Sequence, residues 1–152
     1  MKSSNITMLT RAAVAIAISL VAAVAKAEEG EVEPAGFLPK KTTVTITNRL
    51  ESQAELTVHC KSKDDDIGVK VLSYNQEFGF HFRANIFFTT RFYCSFEWPD
   101  GDGIHWFDIY KQNRDYSVCK DCQWIVKSLS PCRFNDVTKA YDVCYEWNKS
   151  NV

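Results

Sequence analysis

Six cysteines, Cys60, Cys94, Cys119, Cys122, Cys132 and Cys144, fall in the 152-residue chain, and none of them precedes residue 60. An even set of this kind behind an apolar leader constrains a chain more than any other feature, because it reads as three disulfides in an oxidising compartment. Two of the cysteines also sit on alternating runs. Leu56, Val58 and Cys60 share one face of a period-2 strand, and Phe92, Cys94, Phe96 and Trp98 share one face of a second, stronger one. The sulfurs therefore point into the core that these apolar side chains enter. Fifteen pairings of six cysteines are possible, and spacing does not choose among them.

The leader follows from residues 1–27. Lys2 and Arg11 precede an apolar run from Ala12 to Ala25, and Ala25 and Ala27 supply the small residues that signal peptidase requires. The run is too short and too rich in alanine for a membrane-spanning helix, which needs about 20 apolar residues. Cleavage after Ala27 is expected, followed by an acidic, proline- and glycine-containing tail over 28–41 and one domain over 42–149. Loss of the leader lowers the 18 basic side chains to 15 against 19 acidic, a net charge of −4. A secreted, extracellular chain so charged, with its bases interspersed among acids, is a poor partner for nucleic acid.

Within the domain, period-2 alternation predicts strands at 43–47, 56–60, 69–72, 78–82, 90–98, 104–111, 123–127 and 143–147, with a further start at Phe134. The first two are expected to form a hairpin, as are the fifth and sixth across the Pro99-Asp100-Gly101-Asp102-Gly103 turn. Residues 61–66 carry consecutive charges and are expected to form an exposed loop, since each buried, unpaired charge would cost several kcal/mol. No segment sustains a 3.6-residue period. The fold class expected is all-β, a small antiparallel β-sandwich of about eight strands stabilised by disulfides.

Each pattern that could carry catalysis lacks its context. Cys119 and Cys122 have C-x-x-C spacing, but no βαβ unit surrounds them, so they are read as structural cysteines with separate disulfide partners. A zinc site would need a second such pair. Asp64, Asp65 and Asp66 suggest calcium, yet the twelfth position counted from Asp64 is Asn75 where an EF-hand needs glutamate. His59, His81 and His105 could serve a secreted nuclease or hydrolase as acid and base, but they lie on three separate strands, and the chain has no nucleophile elbow. Neither a catalytic set nor a cofactor or metal site is expected. Asn148, in Asn148-Lys149-Ser150, is a glycosylation acceptor.

From Thr43 to Trp147 the chain resembles the plant self-incompatibility S-protein homologue family. The resemblance is carried by residues 56–68, by Thr89 to Phe96, by Phe107-Asp108-Ile109-Tyr110 followed by Arg114-Asp115, by Cys119, Cys122 and Trp124, and by Pro131-Cys132. It implies a small secreted β-sandwich with cysteine bridges. It also implies a ligand recognised by a membrane-protein receptor on a target cell, in signalling such as the rejection of self pollen. With the inward aromatics committed to packing, recognition is expected on connecting loops. Residues 61–66 belong to the shared pattern, which leaves the 99–103 turn, and Asp100 and Asp102 in it, as the expected specificity-bearing positions.

Overall fold

The computed structural model describes residues 39–149; the expected leader and most of the acidic tail lie outside the described residues. Among the described residues, nine strands and one helical turn follow in order: β1 Lys41–Asn48, β2 Leu56–Lys61, β3 Asp66–Leu72, β4 Glu77–Arg83, β5 Arg91–Glu97, β6 His105–Lys111, α1 Gln112–Asp115, β7 Asp121–Val126, β8 Pro131–Asn135 and β9 Ala140–Cys144. They form a five-stranded sheet, β4-β1-β7-β8-β9, and a four-stranded sheet, β3-β2-β5-β6. The core lies between them. Val44, Ile46, Trp124 and Val126 enter it from one sheet, and Leu56, Val58, Phe92, Phe96 and Ile109 from the other. Aromatic rings meet across the gap: Phe82 and Phe92 have centroids 4.5 Å apart, and Phe107 and Trp124 5.2 Å. Such pairs add to the stabilisation from area burial alone.

Alternation made these strands legible, and the burial pattern keeps it. Leu56, Val58 and Cys60 are fully buried while Thr57, His59 and Lys61 are only partly so. In β5, Phe92, Cys94 and Phe96 point inward, and β5 and β6 form the expected hairpin. Four expectations need correction. β1 and β2 do not pair: β1 lies between β4 and β7, and the chain then crosses to the other sheet. The corner is fixed by the buried Asn48, whose Nδ2 donates to Ala54 O at 2.8 Å and Leu72 O at 2.9 Å, while its Oδ1 accepts from Leu50 N. These bonds satisfy a polar side chain in the core and divert the strand across it. The sandwich is also not wholly antiparallel, since β1 and β7 run parallel.

The third correction concerns helix: no segment of the sequence sustains a 3.6-residue period, yet residues 112–115 form α1, with Gln112 and Asp115 buried. The fourth concerns the cysteines. Cys60 pairs with Cys94 and Cys132 with Cys144, each directly opposite its partner on adjacent strands with Cα atoms 4.0 and 3.9 Å apart. Close antiparallel pairs of this kind bring the β-carbons within disulfide reach. Cys119 and Cys122, expected to have separate partners, bond to each other across a Cα separation of 5.2 Å. The turn before β7 returns the chain on itself there, with Cys119 N donating to Asp115 O.

Candidate recognition surface

The 99–103 loop joins β5 to β6 on an aromatic base. Trp98, at the end of the β5 run, is buried and stacks on the ring of His105, the first residue of β6, at 4.6 Å and 12°. Trp147 packs on the other side of the group, 5.0 Å from His105, and its Nε1 donates to Ser128 O at 3.2 Å. The loop closes tightly over this base: Gly101 N donates to Trp98 O, and a Cβ on Gly101 would stand 2.9 Å from Trp98 Cε2. Only glycine fits there without a shift. Gly103, at φ 120°, occupies a conformation that L side chains rarely adopt.

On that base stand the two carboxylates singled out from sequence. Both are exposed, and the Asp102 side chain is 90% accessible. Asp102 Oδ1 lies 2.9 Å from His105 Nε2, a close carboxylate–imidazole contact rather than an aligned hydrogen bond. Beside the loop is an open cleft of about 370 Å³ lined by Trp98, Asp100, Asp102, His105, Leu129 and Trp147 among others. Its far wall is tied in place by Glu51, which accepts from Ser128 N at 3.0 Å and Ser128 Oγ at 2.7 Å. Those two bonds hold the Glu51 carboxyl below its ordinary value. The result is a negatively charged rim over a floor of indole and imidazole rings, a combination that attracts cationic groups.

At the opposite end of β5 the charged segment is shorter than the sequence suggests. Lys61 closes β2, Asp66 opens β3, and the two stand opposite each other in register. Only 62–65 turn, held by Ser62 Oγ, which accepts from Asp64 N and Asp65 N. Asp66 accepts from His59 Nε2 at 2.7 Å and Gly68 N at 2.9 Å, with Lys61 Nζ at 3.3 Å. The His59 contact first, then the Gly68 N–H, pull its carboxyl down to about 2. The three aspartates are thus split between a turn and an ion pair. His59, His81 and His105 sit on β2, β4 and β6, with His59 and His105 each beside its own carboxylate and His81 exposed on the other sheet. Asn148 is exposed, its backbone N–H donating to Trp106 O at 2.7 Å; Ser150 of its sequon lies outside the described residues.

Sequence reasoning missed the role of Arg114. Its guanidinium lies 5.2 Å from the ring of Phe107, 5.2 Å from Trp124 and 4.9 Å from Tyr145, so it is caged by aromatics from both sheets. Its Nε and Nη2 donate to the two oxygens of Asp115, at 2.9 and 2.7 Å, and Nη2 also donates to Asp108 O. Asp115 is fully buried and accepts from Lys111 N as well. A bidentate pair enclosed by rings is a structural clamp. The adjacent Arg114-Asp115 dipeptide is the signal that could have revealed it.

Two facing sheets and three disulfides define a small, disulfide-bonded β-sandwich. The chain belongs to the plant self-incompatibility protein S1 family, whose sequence profile matches residues 43–147. It is 45% identical over 119 residues to S-protein homolog 2 of Arabidopsis thaliana, covering 75% of this chain and 73% of that protein. It is 42% identical over 114 residues to S-protein homolog 29 of the same plant, covering 74% and 83%. A solved structure of a self-incompatibility protein homologue, from a family described as small, highly stable, secreted proteins from plants, superposes with a TM-score of 0.54 at 17% identity. The match covers 73% of this chain and 97% of that one, and it concerns the fold. None of these descriptions names a catalytic activity.

Proposed function

We propose that the protein is a secreted extracellular ligand, read by a membrane-protein receptor on a target cell through the 99–103 loop, with Asp100 and Asp102 as the specificity-bearing positions. Cell-to-cell signalling of this kind includes the rejection of self pollen. Family membership supports the reading, as do the expected leader over residues 1–27 and three disulfides, which persist in oxidising compartments. The observation that carries it is the loop's construction: exposed carboxylates on a backbone locked over the Trp98–His105–Trp147 stack. A rigid loop with exposed charge binds with little ordering cost.

The test is binding of an Asp100→Ala, Asp102→Ala double variant to receptor-bearing target cells. Its thermal midpoint should match wild type while affinity falls by about tenfold or more, as expected for losing charged contacts in an interface. Unchanged affinity and unchanged cell response would place recognition elsewhere. Intact mass and N-terminal sequencing of the secreted chain check the two processing events that belong to the reading, cleavage after Ala27 and a glycan on Asn148.

A further inference from the structure

Arg133 on β8 is a buried charge that the Arg114–Asp115 clamp does not use. It stands opposite Trp124 on β7 and Val143 on β9, so its side chain takes the inward face of the sheet that Trp124 also takes. That side chain is only 7% accessible. Among the described residues its guanidinium makes no hydrogen bond, and its one ion pair is a long one, with Nε 3.9 Å from Asp115 Oδ1. Asp115 is already engaged: Arg114 donates to both of its oxygens, and Lys111 N donates to one of them. One buried carboxylate therefore faces two guanidinium groups, which leaves a charge of 2 − 1 = +1. A buried charge without a matched partner is costly, and a buried donor without one calls for an explanation.

The guanidinium does not end in packed core. Arg133 lines a cleft of about 290 Å³ beside β9, the edge strand of its sheet, together with Val118, Asn135, Asp136, Val137 and Val143 among others. Val118 and Val137 are 50% and 90% exposed, so apolar wall runs from the buried cation to the open mouth. The mouth is held in shape. Val137 N donates to Asn135 Oδ1 at 3.0 Å and Lys139 N to Asn135 O at 2.8 Å, and the Cys132–Cys144 bridge ties β8 to β9 one position from Arg133 and Val143. The acid at the mouth has its own cation, since Asp136 Oδ1 lies 3.6 Å from Lys139 Nζ and both side chains are 72% accessible.

We infer that this cleft binds a small carboxylate with an apolar body, its carboxylate on the Arg133 guanidinium and its body against Val118, Val137 and Val143. A guanidinium presents paired donors in the plane that a carboxylate accepts, and a desolvated setting strengthens such bonds. Apolar walls favour an organic acid over a hydrated inorganic anion, because the body of the acid removes its own surface and theirs from water. A cleft of this volume stands at the small end of ligand pockets, which suits a small molecule. The site shares no residue with the 99–103 loop and does not depend on how that loop is read.

The experiment is calorimetric titration and thermal unfolding of the full secreted, oxidised chain with sodium hexanoate, with hexanol and sodium sulfate at matched ionic strength as comparisons. Hexanoate should bind and raise the thermal midpoint as its concentration rises, while hexanol and sulfate bind about tenfold or more weakly. Arg133→Met keeps an apolar stem but no cation, and should lose hexanoate affinity by about tenfold or more. Val137→Asp alters only an exposed side chain at the mouth. It should keep the wild-type midpoint without hexanoate and weaken hexanoate binding by roughly threefold or more through like-charge repulsion. If Arg133→Met does not fold, Val137→Asp decides the matter alone. Absence of hexanoate binding by wild type, or hexanoate affinity unchanged in a folded Arg133→Met or in Val137→Asp, overturns the proposal. Sulfate binding as tight as hexanoate overturns the organic-acid assignment, and hexanol binding as tight overturns the role of the guanidinium.

Discussion

Replacing Arg114 with methionine removes a guanidinium but keeps an apolar stem among Phe107, Trp124 and Tyr145. Asp115 then remains fully buried, with Lys111 N still donating to it and Arg133 Nε no nearer than 3.9 Å. Removing one partner of a buried ion pair typically costs about 3–5 kcal/mol, because the remaining charge is desolvated without compensation. For a domain of this size that lowers the thermal midpoint by on the order of 15 °C. Arg114→Lys keeps the charge but loses the two-pronged bond to Asp115 and the flat stacking on three rings, so its midpoint should fall between the two. An Arg114→Met, Asp115→Asn double variant removes the orphaned charge and should recover about 1–2 kcal/mol relative to Arg114→Met alone. Urea and thermal unfolding of the four proteins provide the assay. If Arg114→Met stays within about 3 °C of wild type, or if the double variant is no more stable than the single one, the clamp argument is wrong.

Three further outcomes are expected. The bridges should rank by the chain they close: Cys→Ala pairs should cost about 4 kcal/mol for Cys60–Cys94, about 3 for Cys132–Cys144 and about 1.5 for Cys119–Cys122 in urea unfolding, since the paired residues are 34, 12 and 3 positions apart. Asp66 should contribute to acid stability with a definite sign. Its folded carboxyl is held at about 2 against an ordinary 3.8, so its contribution is present above about 3.8 and fades as pH falls through 2. The midpoint difference between wild type and Asp66→Asn should therefore close between pH 4 and pH 2. Gly101→Ala should destabilise by about 1–3 kcal/mol in unfolding experiments, because its Cβ meets the Trp98 indole at 2.9 Å and either the ring or the loop must move.

Strands were legible because one face of each sheet lies on the core, so burial repeats every second residue. The β5 run from Phe92 to Trp98 shows this most plainly. Pairing was less legible. The first two strands looked like a hairpin because a short polar segment joined them, and nothing in that segment announces that the Asn48 amide bonds Leu72 O across the corner. The Cys119–Cys122 bridge was hidden for a related reason: whether two cysteines three apart meet depends on backbone curvature, here set by α1 and the turn after it, and α1 is too short to leave a periodic signal. At the candidate surface, Asp100 and Asp102 were visible as charges between glycines. The stacked rings beneath them were not, because Trp98, His105 and Trp147 converge only after both sheets have formed.

Register also fixes how the two loops relate. β5 begins at Arg91, directly after the 84–90 loop, and ends at Glu97, directly before Trp98 and the 99–103 loop, so a seven-residue strand of about 23 Å separates them. The exposed Ile86, Phe87 and Phe88 and the carboxylates Asp100 and Asp102 therefore stand at opposite ends of that strand. Recognition through the 99–103 loop then makes a separable demand. An Ile86→Ser, Phe87→Ser variant should leave affinity for a soluble receptor ectodomain unchanged, while the Asp100→Ala, Asp102→Ala variant should weaken it. Equal losses for the two variants would place the 84–90 loop inside the receptor interface as well.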